Sequence, residues 1–203
     1  NNLKRLLGKK VELKIEIDTF YVKETNKKIV QKANTKKKKL IIDTTVTTIV
    51  DLSKIPKNGI NYIGSKAQNL AYLIATSKDV QFKTPENAHA IPFYFYIKHV
   101  QNKSISPLIN ELLANTHKDS AVGVKQQLKK IRDAIKKEPI NPQLIAKLNE
   151  TFKNASFKNF RFRSSTNAED LDDFNGAGLY DSKTGIVGDS VKTFEKAIKQ
   201  VWA

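Results

Sequence analysis

The first fifty residues alternate apolar and polar side chains, with the period of two that β-strands show. The segments VELKIEI, FYVKE, KKIVQKA and KLIIDTTVTTIVDL follow this alternation or are rich in β-branched residues. The stretch SKIPKNG comes next, and its Pro, Asn and Gly are typical of a turn or linker. The sequence therefore predicts a small antiparallel β module over residues 1–55.

From residue 58 onwards, most segments have apolar residues at the three-to-four spacing of an amphipathic helix. Helices are predicted for GSKAQNLAYLIAT, PFYFYIKHV, PLINELLANT, VKQQLKKIRDAIKK and PQLIAKLNETFKNA. A last helix is predicted in DSVKTFEKAIKQVWA, with Ser190 as its N-cap. The predicted fold class is α+β, with residues 58–203 forming a second domain.

The segment SFKNFRFRSS returns to strand alternation. In a strand, Phe160 and Phe162 would face one side, and Arg161 and Arg163 would face the other. One face of this strand is therefore predicted to join the core while the other carries positive charge. The strand is expected to lie in a mixed or antiparallel sheet flanked by the helices.

Composition excludes several classes of site. The chain has no cysteine and three histidines, so disulfides and thiolate metal sites are excluded and a structural zinc site is not expected. No apolar run approaches the roughly eighteen residues that cross a membrane, and NNLKRLLGKK lacks the apolar core of a signal peptide. A soluble, cytoplasmic protein without a membrane partner is expected. The absence of methionine, even at position 1, suggests an internal piece of a longer protein or a trimmed chain.

The net charge of +16 raises the alternative of nucleic-acid binding. Its distribution disfavours that alternative, because residues 1–40 hold thirteen Lys and Arg against four Asp and Glu. The run Lys36–Lys39 is predicted to be a solvated hairpin tip. Lysine outnumbers arginine, and none of the usual helix-turn-helix, zinc-finger or RNP patterns is visible, so no nucleic-acid partner is expected.

The stretch FRFRSSTNAEDLDDFNGAGLYDS carries the clearest candidate chemistry. A strand that ends in Arg163 presents a guanidinium whose geometry suits phosphate oxygens, with hydroxyl groups beside it. The two glycines that follow permit a loop that closes over a ligand. The residues of this candidate phosphate site are Arg163, Ser164, Ser165, Thr166, Gly176 and Gly178. The alternative is that Arg163 only pairs with Glu169, Asp170, Asp172 or Asp173.

Lys66 is the second candidate cation. It follows Gly64 and Ser65 at a predicted helix start, where the helix dipole and backbone N–H groups favour an anion. The sequence is not a Walker A motif, because the upstream glycine and the Ser or Thr after the lysine are missing. Lys66 alone is weak evidence for a phosphate site, and the evidence comes from its combination with Arg163 in the same chain.

Three segments resemble the N-terminal, ATP-grasp-like nucleotide-binding domain of pyruvate phosphate dikinase and phosphoenolpyruvate synthase, the PEP/pyruvate-binding domain. They are IGSKAQNLAYL, TPENAHAIPFYFY and FRSSTNAEDLDDFNGAGLYDS, with AIKQVWA similar to the helix that follows. The first resembles a glycine-glycine-lysine opening in which Ser65 replaces a glycine. The resemblance covers about residues 58–203.

The resemblance implies an ATP-grasp N-terminal subdomain, a mixed sheet with flanking helices, preceded by the β module. Lys66 and Arg163 match positions that contact ATP phosphates, and the loop from Gly176 to Gly178 matches one that closes over them. In the family, ATP phosphorylates a histidine on a separate swivelling domain, which makes ATP, magnesium and that domain the implied cofactors and partner. His89 lies outside the Thr-x-His context of such a histidine, so a structural role is expected.

Two functions follow from the resemblance. The first is part of an ATP-dependent kinase or phosphotransferase, with the adenine pocket and magnesium ligands in segments outside this chain and the chain alone inactive. The second is a non-catalytic binding module that has kept the fold, which the serine at position 65 and the unfamiliar first 55 residues allow. Intact Lys66 and Arg163 favour the first function. The phosphoryl acceptor is not specified by these residues.

Overall fold

The chain divides by compactness into two units, Asn1–Lys38 and Lys39–Ala203. The computed structural model describes residues 2–28, 40–54, 56–115, 120–168, 170–171, 174–175 and 180–203. Residues 40–54 lie in the second unit. The boundary between the units therefore comes earlier in the chain than the change from strand-like to helix-like sequence near residue 55.

The first unit contains a β-hairpin. A short 3-10 helix, Asn2–Leu6, precedes strands β1 (Val11–Ile15) and β2 (Phe20–Glu24). The two strands pair antiparallel, from Val11 opposite Glu24 to Ile15 opposite Phe20. The strand predictions for VELKIEI and FYVKE are confirmed, whereas most of KKIVQKA and the run Lys36–Lys39 lie outside the described residues.

The second unit is α+β, as predicted. Its helices are α1 (Ser65–Val80), α2 (Phe93–Val100), α3 (Ser106–Asn115), α4 (Ala121–Lys137), α5 (Pro142–Phe152) and α6 (Phe194–Trp202), with a 3-10 turn at Gly59–Asn61. Its strands are β3 (Val50–Asp51), β4 (His89–Ala90), β5 (Asn159–Arg163), β6 (Asp170–Leu171), β7 (Phe174–Asn175) and β8 (Ser182–Ile186).

The strands of the second unit form small antiparallel pairs: β3 with β4, β5 with β8, and β6 with β7. The described residues therefore contain two-stranded antiparallel sheets where the resemblance implies a mixed one, and β5 takes the antiparallel form of the mixed or antiparallel sheet expected for its strand. A parallel pairing would need a crossover connection between its strands. The observed pairs run antiparallel, and helices pack against them.

Residues 40–49 form no strand, although their β-branched composition predicted one. The carboxylate of Asp43 accepts hydrogen bonds from both the N–H and the hydroxyl of Thr45. Such a local turn competes with an extended ladder for the same backbone groups. Strand pairing begins only at Val50, and Leu52 is then buried beside β4 in a cluster with Ala90.

Helix starts follow the expected capping chemistry, with one correction. Ser120 and Asn141 cap α4 and α5 by accepting hydrogen bonds from backbone N–H groups of the first turn. Helix α6 is capped by Thr193, not by the predicted Ser190. The carboxylate of Asp189 binds the N–H groups of Val191 and Lys192, and this turn delays the start of the helix.

The largest core cluster lies where β5 and β8 pack against α2, α5 and α6. Gly185 of β8 is buried there, and a side chain at this position would collide with the rings of Phe162 and Phe194. Phe160 and Phe162 pack against the cluster, as the alternation predicted. Its buried members are Phe95, Ile140, Leu144, Leu148, Phe152, Phe194 and Ile198. This packing fixes the strand that ends in Arg163.

Candidate functional site

The start of helix α1 lies against the loop that follows β5. Gly64 occupies the N-cap position and has no side chain with which to cap the helix. The hydroxyl of Ser165 takes that role, accepting a hydrogen bond from the N–H of Ala67 at 3.0 Å. The carbonyl of Thr166 accepts from the N–H of Ser65 at 3.0 Å and from its hydroxyl at 3.1 Å.

These bonds join two candidate segments that are far apart in sequence, since Ser65 and Thr166 are separated by 101 residues. The side-chain amide of Asn167 extends the contact by donating to the carbonyl of Ile41 at 2.7 Å. Lys66 lies between the two bonded residues of α1, and Arg163 lies two residues before Ser165. The fold therefore brings the two candidate cations to the same end of β5.

Arg161 and Arg163 are both exposed on the face of β5 away from the core. Arg163 pairs in register with Ser182 at the edge of the sheet, and Arg161 pairs with Thr184, to whose hydroxyl its guanidinium donates at 3.2 Å. No described carboxylate forms an ion pair with Arg163. The alternation of the sequence predicted this exposed positive face correctly.

Lys66 is exposed on the first turn of α1, and its ammonium lies 5.6 Å from the ring centroid of Tyr180. A cation at this distance from an aromatic face is attracted by the ring quadrupole. Tyr180 comes two residues before Ser182, the partner of Arg163. Sequence reasoning missed Tyr180, because no local pattern distinguishes this tyrosine from a packing residue.

Asp181, next to Tyr180, brings negative charge close to these cations. Its carboxylate forms an ion pair with the ammonium of Lys183 at 2.9 Å. The hydrogen bond from Lys183 holds the pKa of Asp181 below its ordinary value, and the charge of Arg161 acts in the same direction. Among the described residues, the charge of Asp181 is therefore offset by Lys183.

Other predicted members of the site are only partly described. Ser164 is half-buried between Arg163 and Ser165. Gly176 and Gly178 lie outside the described residues, as do Glu169, Asp172 and Asp173. The side chain of Asp170 is also outside them, so the proposed pairing of Arg163 with this acidic cluster stays a prediction.

The backbone at the start of α1 differs from the expectation in one respect. Free N–H groups were expected to favour an anion there, but those of Ser65 and Ala67 already bond to protein oxygens. These two N–H groups are therefore not available to an anion. The hydroxyl of Ser165 accepts from Ala67 and keeps its own proton available for donation.

Two open pockets lie elsewhere in the second unit. The larger, about 440 Å³, adjoins the C-terminal half of α1 and is lined by polar residues that include Asp51, Ser77 and His89. The smaller, about 330 Å³, lies beside the starts of α2 and α5. Neither contains a candidate phosphate-binding residue. The imidazole of His89 contacts the carbonyl of Asn87 and packs edge-on against a phenylalanine ring, in keeping with a structural role.

Other site types find no support in the part of the chain that the structure describes. There, no three or more His, Asp and Glu side chains come together in a way that could hold a metal ion. Within the same ranges, no helix combines the length and the apolar character needed to cross a bilayer.

An α+β unit whose cations gather beside a helix start and a strand end has the features of an anion-binding domain. Residues 60–203 match the family described as pyruvate phosphate dikinase, AMP/ATP-binding domain. The chain belongs to this family, and the resemblance drawn from the sequence is confirmed. Comparison with curated proteins and with solved structures yields no match.

Proposed function

We propose that the chain supplies the phosphate-binding part of an ATP site in an ATP-dependent phosphotransferase. The observation that carries this proposal is the contact between the start of α1 and the loop after β5. Through it, the segment with Lys66 and the segment with Arg163 become neighbours although nearly a hundred residues separate Ala67 from Ser165. Membership of an ATP-binding family supplies the class of ligand.

The chemistry of the two cations suits this role. The guanidinium of Arg163 presents a planar fork that binds phosphate oxygens in pairs, and the ammonium of Lys66 acts as a compact point charge. Ser164 and Ser165 add hydroxyl donors beside Arg163. The segment around Gly176 and Gly178 is proposed to close over the phosphates.

Ser65, where the family pattern has a glycine, is compatible with the same site. Its hydroxyl donates to the carbonyl of Thr166 and so adds a bond between α1 and the loop after β5. The substitution therefore strengthens the junction of the two segments instead of obstructing it. This observation favours a retained site over a module that has lost its chemistry.

The finer features of the family extend this proposal. We infer an ATP-grasp arrangement over residues 58–203, magnesium bound with the phosphates, and transfer to a histidine on a swivelling domain. When bound, magnesium would neutralise phosphate charge. A cytoplasmic location likewise stays a prediction.

Titration calorimetry with ATP and magnesium tests the proposal on the 203-residue chain. Because Lys66 and Arg163 are exposed, their bonds to phosphate are weakened by solvent. We expect a Kd on the order of millimolar, about 4 kcal/mol of binding free energy, which weakens as salt is added. Removal of either cation, in Lys66→Gln or Arg163→Ala, should raise the Kd severalfold.

Arg132→Ala is the matched control, because it removes the same charge from helix α4. It separates a defined site from the general attraction of a basic protein for ATP. If Arg132→Ala weakens binding as much as Arg163→Ala does, the proposed site is wrong. Micromolar binding that neither Lys66→Gln nor Arg163→Ala changes would place the nucleotide elsewhere, and absence of binding would favour the non-catalytic module.

A further inference from the structure

Tyr180 joins the two halves of the candidate site. Its ring lies under the ammonium of Lys66, at 5.6 Å from the centroid, and its backbone leads into β8 beside the end of β5. Lys66 belongs to α1, whereas Tyr180 lies two residues before Ser182, the β8 residue that pairs with Arg163. The contact therefore joins helix α1 to the segment that leads into β8, close to Arg163.

The geometry limits where the lysine ammonium can lie. The first turn of α1 is held by the bonds of Ser65 and Ala67 to the loop after β5, so the backbone of Lys66 is fixed. Its four-carbon stem has many rotamers, and a contact with an aromatic face favours those that point towards the ring. Attraction to the ring of Tyr180 draws the stem towards the sheet edge, where Ser182 pairs with Arg163.

Preorganised side chains lose less entropy when they bind a ligand. A lysine that already points along the sheet edge needs little reordering to contact a phosphate group. Tyr180 is 37% exposed and Lys66 is exposed as well, so the contact between them lies at the surface. The carboxylate of Asp181 beside it is balanced by Lys183, at 2.9 Å.

We propose that Tyr180 is a positioning residue that orients the ammonium of Lys66 for the phosphates of ATP. This inference rests on the proposed function, because it assigns Lys66 a phosphate-binding role. Tyr180 acts through Lys66, and the aromatic face is the part of its side chain that acts.

A double-mutant cycle on the full chain, with ATP and magnesium as the probe, tests this role. Tyr180→Leu removes the aromatic face, and we expect its Kd to rise about two- to fivefold. The same substitution in a Lys66→Gln background should leave the Kd unchanged, because its target is gone. Tyr180→Phe keeps the ring and should retain the affinity of the unaltered chain.

Three outcomes overturn the inference: no effect of Tyr180→Leu, an equal effect in both backgrounds, or a loss in Tyr180→Phe as large as in Tyr180→Leu. An equal effect would indicate a purely structural role, and a loss in Tyr180→Phe would assign the effect to the hydroxyl. If Lys66→Gln alone leaves binding unchanged, the proposed function fails at Lys66 and the inference fails with it. A normal effect of Lys66→Gln beside a silent Tyr180→Leu overturns the inference alone.

A ligand-free measurement covers the case in which a variant binds too weakly for calorimetry. The ring current of Tyr180 should shift the NMR signals of the Lys66 ε-methylene protons in the unaltered chain and in Tyr180→Phe. The shift should vanish in Tyr180→Leu. Identical signals in all three proteins would show that the ring does not orient Lys66, and would overturn the inference.

Discussion

Gly64 lies so close to Ser165 that a Cβ atom at position 64 would be 2.5 Å from the carbonyl carbon of Ser165 and 2.6 Å from its hydroxyl oxygen. The backbone of Gly64 also has a φ of 83° and a ψ of 170°, a combination open almost only to glycine. Position 64 therefore requires glycine for two independent reasons. The close approach is what allows Ser165 to cap helix α1.

Gly64→Ala is expected to lower the free energy of unfolding by about 3 kcal/mol or more, as backbone strain and a collision with backbone atoms combine. Urea denaturation measures the change. The matched control is Gly188→Ala, because Gly188 also has a positive φ, 76°, but has open space around its Cβ position. Gly188→Ala should lower the free energy of unfolding by only about 1 to 2 kcal/mol. Equal losses in the two variants would contradict the close contact with Ser165.

Gln68 of helix α1 is 2% exposed, and neither its amide oxygen nor its amide nitrogen has a hydrogen-bond partner among the described residues. Its oxygen is packed directly against Gly59. An unpaired buried amide is destabilising, so Gln68→Met should raise the free energy of unfolding by about 1 kcal/mol. Gln126→Met, at an exposed position of α4, is the control and should change it by less than about 0.5 kcal/mol. A clear loss of stability in Gln68→Met would indicate that the amide bonds an ordered water.

His99 satisfies a carbonyl that helix α4 leaves unpaired. Its Nε2 lies 3.0 Å from the oxygen of Ile135, and since a carbonyl only accepts, Nε2 carries the proton. Four residues after Ile135 comes Pro139, which has no N–H to donate. His99→Phe should therefore lower the free energy of unfolding by about 1 to 3 kcal/mol, measured by thermal or urea denaturation.

His89→Phe is the control for that prediction. His89, in the short strand β4, contacts the backbone carbonyl of Asn87, and His89 is less buried than His99, so its replacement should lower the free energy of unfolding by less. His99→Gln, which keeps a donor, should recover part of the lost stability. A His99→Phe variant as stable as the unaltered chain would show that the carbonyl of Ile135 finds another donor.

The ionisation of Glu195, which lies at the start of helix α6, makes the free energy of unfolding depend on pH. The hydrogen bond from Lys199, at 2.8 Å, lowers the pKa of Glu195 from its ordinary 4.5, and the N–H of Ile140 acts in the same direction. Because folding favours the ionised form, this stability is present above the unfolded pKa and is lost as pH falls through the lower folded pKa. Glu195→Gln should lower the free energy of unfolding at neutral pH by at most about 1 kcal/mol. It should also flatten the decline below about pH 4.5, followed by urea denaturation at several pH values.

Glu150→Gln serves as the comparison, since Glu150 pairs with Lys147 at a fully exposed position. Added salt should reduce the stability lost in Glu150→Gln more than the stability lost in Glu195→Gln, because Glu195 is partly buried. A Glu195→Gln profile that runs parallel to that of the unaltered chain through the acid range would contradict a lowered pKa in the folded state.

Local sequence determined the elements that depend on neighbouring residues. The apolar spacing of α4 predicted an amphipathic helix, whose buried residues are Ile131 and Ile135. Pro142 at the first position of α5 marks a start that Asn141 caps. The alternation of β5 predicted which side chains enter the core. These outcomes follow from backbone preferences and from the periods of 3.6 and 2, which act over a few residues. Short motifs likewise predicted membership of the ATP-binding family.

Only the tertiary structure decided which distant groups meet. Ser165 caps a helix whose third residue lies 98 positions earlier, and Tyr180 lies under Lys66. The strand pattern of residues 40–49 was overridden by the turn at Asp43. Non-local contacts such as those of Ser165 and Tyr180 form only after chain segments pack, because the free energy that decides them comes from burial and geometry shared between the segments. No window of sequence contains that information.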